Sequence, residues 1–293
     1  MQYRSRGDVW FSCINYTALT LIAAATLYPF WNLLAISLND SLDAVRGGIY
    51  LVPREFTLAN YAAVFEREGL LRAALLSVAR TIAGAALGVL GTAMIAYALS
   101  RTDFVLRRPL NVLLIFTLFV NAGLLPTYLL IRDLGLMNTF AVYLLPLLIS
   151  AYNVIIMRSY FESLPDGLTE SAKIDGANDF QTLFRIVLPV SAPVVATITL
   201  FIAVVHWNAW FDNYLYTSRT PELNLLQFEL MKILQASTNS QMDRAGNAAA
   251  AIDINPESIR AAMTMIVTVP ILLVYPFLQR YFVKGIMVAS MKE

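Results

Sequence analysis

Charged residues leave six long gaps along the chain. Lys, Arg, Asp and Glu are absent from 9–39, 81–100, 109–131, 134–157, 186–211 and 261–279. Every gap is mostly apolar and 19 to 31 residues long, and a helix needs about 20 apolar residues to cross a bilayer. Strands of a membrane barrel would be about 10 residues long and alternate in polarity, which none of the gaps does. The pattern therefore predicts an all-α membrane protein with six transmembrane helices.

Composition agrees with this pattern and excludes several other classes. Hydrophobic residues make up 58% of the 293 residues and charged residues 14%, whereas a soluble domain has roughly 45–50% and about 25%. The net charge of +1 provides no field that would attract nucleic acid. A single cysteine, Cys13, and a single histidine, His206, allow neither an internal disulfide nor a cysteine or histidine metal cluster. We therefore expect no metal site.

Positive charges predict how the six helices are oriented. Arginines crowd the short link between the second and third gaps, and Lys and Arg also lie beyond the terminal ends of the first and sixth gaps. Positive charge in short loops marks the cytoplasmic side, so we expect both termini in the cytoplasm. Segment 158–185 then faces inward, and 40–72 and 212–260 face outward. The first gap also resembles a signal peptide, but its apolar run continues to Leu38, so we expect it to be retained as a helix.

The inward segment between the fourth and fifth gaps has a helical pattern of its own. One helix is expected to begin at Ser163 or Leu164, with a proline in its first turn, and Gly176 interrupts it. Asn178 or Asp179 would cap a second helix. That helix carries an apolar stripe at the spacing i, i+3, i+4 and i+7, formed by Phe180, Leu183, Phe184 and Val187. An exposed apolar face needs a partner; the alternative is that it lies on lipid headgroups.

One motif in this segment identifies a family. Glu170-Ser171-Ala172 is followed after three residues by Gly176 and after nine more by Ile186-Val187-Leu188-Pro189. This spacing resembles the EAA loop of ABC importer permeases, with Ser171 in place of the central alanine. Residues 75–293 are similar to the MalG-like carbohydrate permeases, and within them to permeases of bacterial alginate-oligosaccharide importers. The further motifs that carry this resemblance are 121–128, 135–139, 207–211 and 284–287.

The resemblance implies a fold, a location and a set of partners. The fold is that of a type I ABC importer permease, with a cytoplasmic coupling helix between helices 4 and 5, in the bacterial cytoplasmic (inner) membrane. The chain would form half of the translocation path for an oligosaccharide. Its implied partners are a second, MalF-like permease, two ATPase subunits and an external solute-binding protein. No cofactor is expected on this chain, because ATP and Mg would be bound by the partner ATPase.

The same resemblance implies how the chain is divided and which residues contact the ATPase. We expect a single transmembrane domain, 1–293, in which 1–72 is the first helix with an external segment and 283–293 is a cytoplasmic tail. Between them lies a five-helix core, 73–282, which contains the cytoplasmic EAA loop 162–189. The implied ATPase-coupling residues are Glu170, Ser171, Ala172, Asp175, Gly176, Ala177, Phe180, Leu183, Phe184, Leu188 and Pro189.

Polar and aromatic residues near the ends of the gaps are candidates for a sugar path. Sugars present apolar faces and many hydroxyls, which aromatic, amide and carboxylate side chains match. The candidates are Asn121, Tyr128, Tyr152, Asn153, Trp207, Asn208, Trp210, Phe211 and Asp212. On a continuous helix Trp207, Trp210 and Phe211 would share one face. Alternatively, these aromatic residues form the interfacial belt common in membrane proteins. Arg80 is expected to snorkel or to pair locally.

Two further observations bear on function. The chain lacks G-x-x-x-x-G-K-[ST], H-E-x-x-H and G-x-S-x-G, so we expect a transport subunit and not an enzyme. The alternative is an ion-coupled secondary transporter of a small polar solute, but no acidic residue lies well inside a gap and no repeat is evident. Gly84 and Gly88 predict a helix packing face on the second span. In the external segment 212–260, residues 225–234 suggest an amphipathic helix.

Overall fold

The computed structural model describes residues 6–244 and 256–290, and their regular structure is helical apart from one isolated bridge between Asn39 and Phe56. The helices of the first half of the chain are α1 (Arg6–Ser37), α2 (Ser41–Val45), α3 (Ala59–Phe65), α4 (Leu70–Ser100), α5 (Arg107–Phe119) and α6 (Leu124–Asp133). Those of the second half are α7 (Ala151–Glu162), α8 (Gly167–Ile174), α9 (Asp179–Thr182), α10 (Leu188–Val190), α11 (Ala192–Asn208), α12 (Phe211–Tyr216), α13 (Leu226–Arg244) and α14 (Pro256–Ser290). Short 3₁₀ turns occupy Phe140–Tyr143, Leu145–Leu147 and Pro221–Leu223, and a π-helical turn occupies Leu183–Val187. Residues 1–5, 245–255 and 291–293, which include parts of the predicted external segment and tail, lie outside the described residues.

Six membrane spans are present if each of three bent helix pairs counts as one. Three single helices are long and apolar enough to cross a membrane within the described residues, at Trp10–Ser37, Leu70–Ser100 and Glu257–Pro276. The bent pairs are Arg107–Phe119 with Leu124–Asp133, Phe140–Leu147 with Ala151–Glu162, and Asp179–Val190 with Ala192–Asn208. The predicted all-α membrane protein is thus confirmed.

The third, fourth and fifth spans are bent and are not continuous helices. The first bent pair turns by 120° at Gly123, whose φ of +85° a side-chain-bearing residue rarely adopts. The second pair bends by 51° beyond Pro146, and the third by 89° around Ser191 and Pro193. Proline lacks the N–H of a helical hydrogen bond and its ring displaces the preceding turn. Local backbone chemistry therefore overrides the apolar pattern at all three breaks.

The described residues divide into two units, and the first consists of residues 1–68 and 230–269. The long helix α1 leaves most of its apolar side chains exposed, as expected of a helix that meets lipid or another membrane chain. After α1 the chain forms a compact segment that contains α2 and α3. The predicted amphipathic helix is present as α13, which buries Ile233.

The second unit, residues 69–229 and 270–293, contains the core that positions the candidate sites. In it α4 packs against α7 and α11. A Cβ on Gly84 would lie 2.4 Å from Nε2 of His206, and one on Gly88 would lie 3.1 Å from Cδ1 of Ile202. These glycines therefore let α11 approach α4 closely, which confirms the predicted packing face.

Candidate functional site

The loop that carries the EAA motif, residues 162–189, contains two short helices joined at a glycine. Helix α8 begins at Gly167, a few residues later than expected. Gly176 has a φ of +80° and no side-chain atom near its would-be Cβ. Asn178 caps α9 through a capping box, in which its side chain accepts from the backbone N–H of Gln181 and Gln181 accepts from Asn178. The predicted arrangement of helix, glycine turn and helix is therefore present.

Most of the predicted coupling residues lie at the surface of this loop. The exposed ones are Glu170, Ser171, Asp175, Gly176, Phe180, Phe184 and Pro189. Ala177 and Leu188 are half-buried, and Ala172 and Leu183 are buried. Ile174, which sequence reasoning missed, is 86% exposed at the end of α8. Its position directly before the Asp-Gly turn was the available signal, because a helix end leaves its last apolar side chain uncovered.

The predicted single apolar stripe of the second helix was wrong. Leu183 and Val187 point into the core, whereas Phe180 is 66% and Phe184 42% exposed. The π-helical turn at Leu183–Val187 adds a residue to the turn and shifts the side-chain register. The two phenylalanines are thereby left available to a partner surface.

Two polar contacts hold α8 against the end of α4. Arg101, the residue after α4, donates from Nη1 to Oγ1 of Thr169 at 3.0 Å. Nζ of Lys173 lies 3.3 Å from Oδ2 of Asp103, and this hydrogen bond holds the pKa of Asp103 below its ordinary value. The outer face of α8 is thus free while its inner face is fastened to the second span.

A second cluster fixes the end of α7. The carboxylate of Glu162 accepts hydrogen bonds from Arg107 at 2.7 Å and from Arg158 at 2.8 Å. Arg158 also donates to Asn111 of α5. Glu162 therefore joins α5 and α7 through two ion pairs.

The second unit contains a cavity of about 1010 Å³ between α4, α11, residues 146–153 and residues 270–275. Of the nine predicted path residues, Tyr152, Asn153 and Trp207 line it, and His206 lines it as well. Its lining is mainly apolar, and no Asp, Glu, Lys or Arg is among the described residues that form it.

The other path candidates near residue 210 lie beyond a break in the helix. Helix α11 ends at Asn208, and Ala209 is extended with φ −74° and ψ 125°. The prediction that Trp207, Trp210 and Phe211 share one helix face was therefore wrong. Trp210 and Phe211 instead contact each other edge to face, with ring centroids 5.6 Å apart. Asn208 donates to the carbonyl of Val204 at 3.0 Å and does not line the cavity.

Two candidates lie in the bent third span. The side-chain oxygen of Asn121 accepts from the backbone N–H of Gly123 at 2.8 Å, which supports the bend. Tyr128 stacks on Tyr216, with ring centroids 6.1 Å apart. Neither lines the cavity, and their part in a substrate path stays a prediction.

Arg80 and Asp212 form a buried cluster that sequence reasoning did not join. The Arg80 side chain is fully buried and pairs with both carboxylate oxygens of Asp212. Nη1 of Arg80 also donates to the carbonyl of Ala209 at 3.3 Å, Nε lies 3.4 Å from Nδ1 of His206, and the guanidinium carbon lies 4.7 Å from the ring centre of Tyr143. Arg80 therefore pairs locally, the second of the two predicted outcomes, and does not snorkel. Asp212, proposed for the path from sequence, has its charge neutralised.

Comparisons of sequence and of fold both relate this chain to transport proteins. Residues 84–288 match the family model of the binding-protein-dependent transport system inner membrane component. The polygalacturonan/rhamnogalacturonan transport system permease protein YtcP of Bacillus subtilis is 36% identical over 96% of this chain and 98% of that protein. The arabinooligosaccharides transport system permease protein AraQ of Halalkalibacterium halodurans is 29% identical over 97% of this chain and 96% of that protein.

A solved structure is similar over almost the whole chain. It is described as a bacterial ABC transporter involved in the import of the acidic polysaccharide alginate. The TM-score is 0.84 and the identity 29%, with 96% of this chain and 100% of that chain covered. These matches confirm the resemblance and the permease fold predicted from the EAA motif.

Proposed function

Since this chain belongs to the family of binding-protein-dependent transport system inner membrane components, we propose that it forms half of the translocation path of an ATP-driven oligosaccharide importer. It acts with a second permease, two ATPase subunits that bind ATP and Mg, and an external solute-binding protein. Both termini and the loop 162–189 face the cytoplasm. The chain itself carries out no catalysis.

The exposed face of α8 is the observation that carries this proposal. Glu170 and Ile174 present a charge and an apolar side chain to solvent, while Arg101 and Asp103 fasten the opposite face of the helix to α4. A surface that is rigid, apolar at its centre and charged at its edge suits docking into another protein. An ATPase seated there would move α8 and the second span together.

We propose that the substrate is an acidic oligosaccharide. The names of YtcP and of the alginate transporter refer to acidic polysaccharides. The described residues that line the cavity include no carboxylate, and the carboxylate of Asp212 is neutralised by Arg80. Repulsion between like charges in a low-dielectric site would be large, so a path free of unpaired acid groups suits an anionic sugar. Tyr152, Asn153 and Trp207 supply the aromatic and amide groups that meet its rings and hydroxyls.

Docking of the ATPase is tested by changing two glycines of the same loop. Leucine at Gly176 must adopt a φ of +80°, which costs an L-residue about 1–2 kcal/mol, whereas Gly167 has an ordinary φ and open space. We expect Gly176→Leu to lose both the co-purifying ATPase and oligosaccharide uptake, and Gly167→Leu to retain both. Normal uptake and normal co-purification in Gly176→Leu would contradict the coupling role of the loop.

The substrate class is tested by uptake in a strain that lacks this chain and receives it on a plasmid. Labelled oligogalacturonates and alginate oligosaccharides should be taken up only when the chain is present. Neutral arabino-oligosaccharides of equal length serve as the matched control. Preferential uptake of the neutral sugars would reject the acidic substrate and leave the transport role intact.

A further inference from the structure

The segment after α1 forms a closed loop, here called the tip loop, residues 46–54. A short backbone bridge on either side of it closes the segment 38–57, in which the backbone N–H of Asp40 donates to the carbonyl of Glu55 at 2.8 Å and that of Thr57 donates to the carbonyl of Leu38 at 2.9 Å. The loop therefore has a defined conformation within the first unit.

Both arginines of this loop, Arg46 and Arg54, form ion pairs with Asp43. The Asp43 carboxylate accepts from Nε of Arg54 at 2.9 Å and from Nδ2 of Asn39 at 3.0 Å. Oδ1 of Asn39 accepts from the backbone N–H of Arg54 at 2.7 Å. Asn39 and Asp43 are both buried. These hydrogen bonds and ion pairs hold the two ends of the tip loop to the buried Asn39 and Asp43.

The tip itself presents three consecutive apolar or aromatic side chains. Tyr50, Leu51 and Val52 are 66%, 60% and 69% exposed. A contiguous exposed apolar patch marks a surface that meets a membrane or another molecule.

The backbone of the tip is fastened along the side of α1. Nε1 of Trp31 donates to the carbonyl of Leu51 at 2.6 Å, and Nδ2 of Asn32 donates to the carbonyls of Ile49 at 2.7 Å and Tyr50 at 3.2 Å. Trp31 lies six residues before the end of α1 at Ser37, or about 9 Å along the helix axis. The tip loop therefore folds back alongside the membrane helix, and the carbonyls of Ile49, Tyr50 and Leu51 are satisfied, as irregular backbone near hydrocarbon requires.

Two tryptophans mark the depth of this position. Trp10 and Trp31 are both exposed on α1. Their separation of 21 residues corresponds to about 31 Å of helix, close to the roughly 30 Å thickness of the hydrocarbon core. Tryptophan gathers at both edges of that core. Trp31 thus lies at one edge, and the tip that it holds lies at the same height.

We propose that Tyr50, Leu51 and Val52 insert into the lipid interface at the C-terminal end of α1 and anchor the segment 38–68 to the membrane surface. The partner is the lipid itself. An aromatic residue with a polar hydroxyl beside two aliphatic residues matches the amphipathic character of that layer. This inference requires only that α1 spans the membrane, and it does not depend on the substrate or on the ATPase.

Fluorescence quenching tests the depth of the tip. A Leu51→Cys variant in a Cys13→Ala background is labelled with an environment-sensitive fluorophore, and the full chain with its co-purifying partners is placed in nanodiscs of phosphatidylethanolamine and phosphatidylglycerol. Glu66→Cys, at an exposed residue of the same segment, is the matched control. We expect lipid spin-labelled near the glycerol end of the acyl chain to quench Leu51 at least threefold more than Glu66, and aqueous iodide to quench it at least threefold less.

Two outcomes would overturn the proposal. Equal iodide quenching at the two positions would place the tip in water. Protection of Leu51 from both iodide and spin-labelled lipid would show that a protein surface covers it. A circular dichroism spectrum like that of the unsubstituted chain confirms that each variant is folded, so either result addresses the tip and not a misfolded chain.

Discussion

Replacing Asp212 by asparagine should destabilise the second unit more than any exposed charge change. The substitution keeps the size of the side chain but removes the negative charge that faces Arg80. The guanidinium is fully buried, and its remaining neighbours would be the amide oxygen of the new side chain, the carbonyl of Ala209, the imidazole of His206 and the ring of Tyr143, none of which carries a negative charge.

The expected loss of unfolding free energy follows from how deeply Arg80 and Asp212 are buried. Removal of one partner of a buried ion pair costs about 3–5 kcal/mol, because the other charge stays buried without compensation. The Asp212 side chain is 18% exposed, so water offsets part of the loss and the lower end, about 3 kcal/mol, is expected. A loss of that size corresponds to a decrease in melting temperature of roughly 6–12 °C for a protein of about this length.

Thermal unfolding of the purified chain in detergent micelles, followed by tryptophan fluorescence, measures this decrease. Asp133→Asn is the matched control, since Asp133 pairs with Arg132 while 65% exposed, and such surface pairs contribute about 0–1 kcal/mol. The double variant Arg80→Met with Asp212→Leu should recover much of the loss, because no unpaired charge remains. The reasoning would be refuted if the melting temperature of Asp212→Asn fell no further than that of the control. It would also be refuted if the double variant lost more stability than Arg80→Met and Asp212→Leu lose together as single variants.

Three further outcomes are expected. Glu170→Ala should lower oligosaccharide uptake while ATP hydrolysis continues, and Glu170→Gln should lower uptake less. Equal uptake by the unsubstituted chain and both variants would show that Glu170 is a solvated surface charge. Gly84→Leu should prevent α11 from packing on α4, because a Cβ would lie 2.4 Å from the His206 ring, and circular dichroism during heating should show an earlier transition. In a Cys13→Ala background, cysteine at Trp207 should react with a water-soluble thiol reagent and be protected by transported sugar, whereas cysteine at Trp210, outside the cavity lining, should show no protection.

The long-range pattern of the sequence was a good guide to the number of spans and a poor one to their continuity. Charge-free gaps report which segments avoid water, and the helices formed where they were expected. Breaks at Gly123 and around Ser191 arise from single residues with special backbone preferences. Apolar periodicity is insensitive to such residues, because a bent helix in a membrane is as apolar as a straight one.

In the candidate site too, features that depend on neighbouring residues were predictable and contacts between distant residues were not. The EAA spacing located α8, the glycine turn and the cap at Asn178, all of which depend on neighbouring residues. The pair of Arg80 and Asp212 joins residues 132 positions apart, and nothing local signals it. The end of α11 at Asn208 was not predicted, for a different reason. The aromatic residues that follow it also occur within helices, so the assumed common face of Trp207 and Trp210 had no visible interruption.

Helix α4 joins both ends of the second unit as one stiff rod. It runs without proline from Leu70 to Ser100, with the contact to α8 at Arg101 and the buried pair at Arg80. These points are separated by about 31 Å along the axis, so a tilt of about 5° at one end displaces the other by about 3 Å. Helix α4 would then act as a lever, which converts a small change in angle at α8 into a displacement of the residues where α11 and α12 meet. The stiffness of a single helix, and not a relay of loose contacts, would set how faithfully one side of the membrane follows the other.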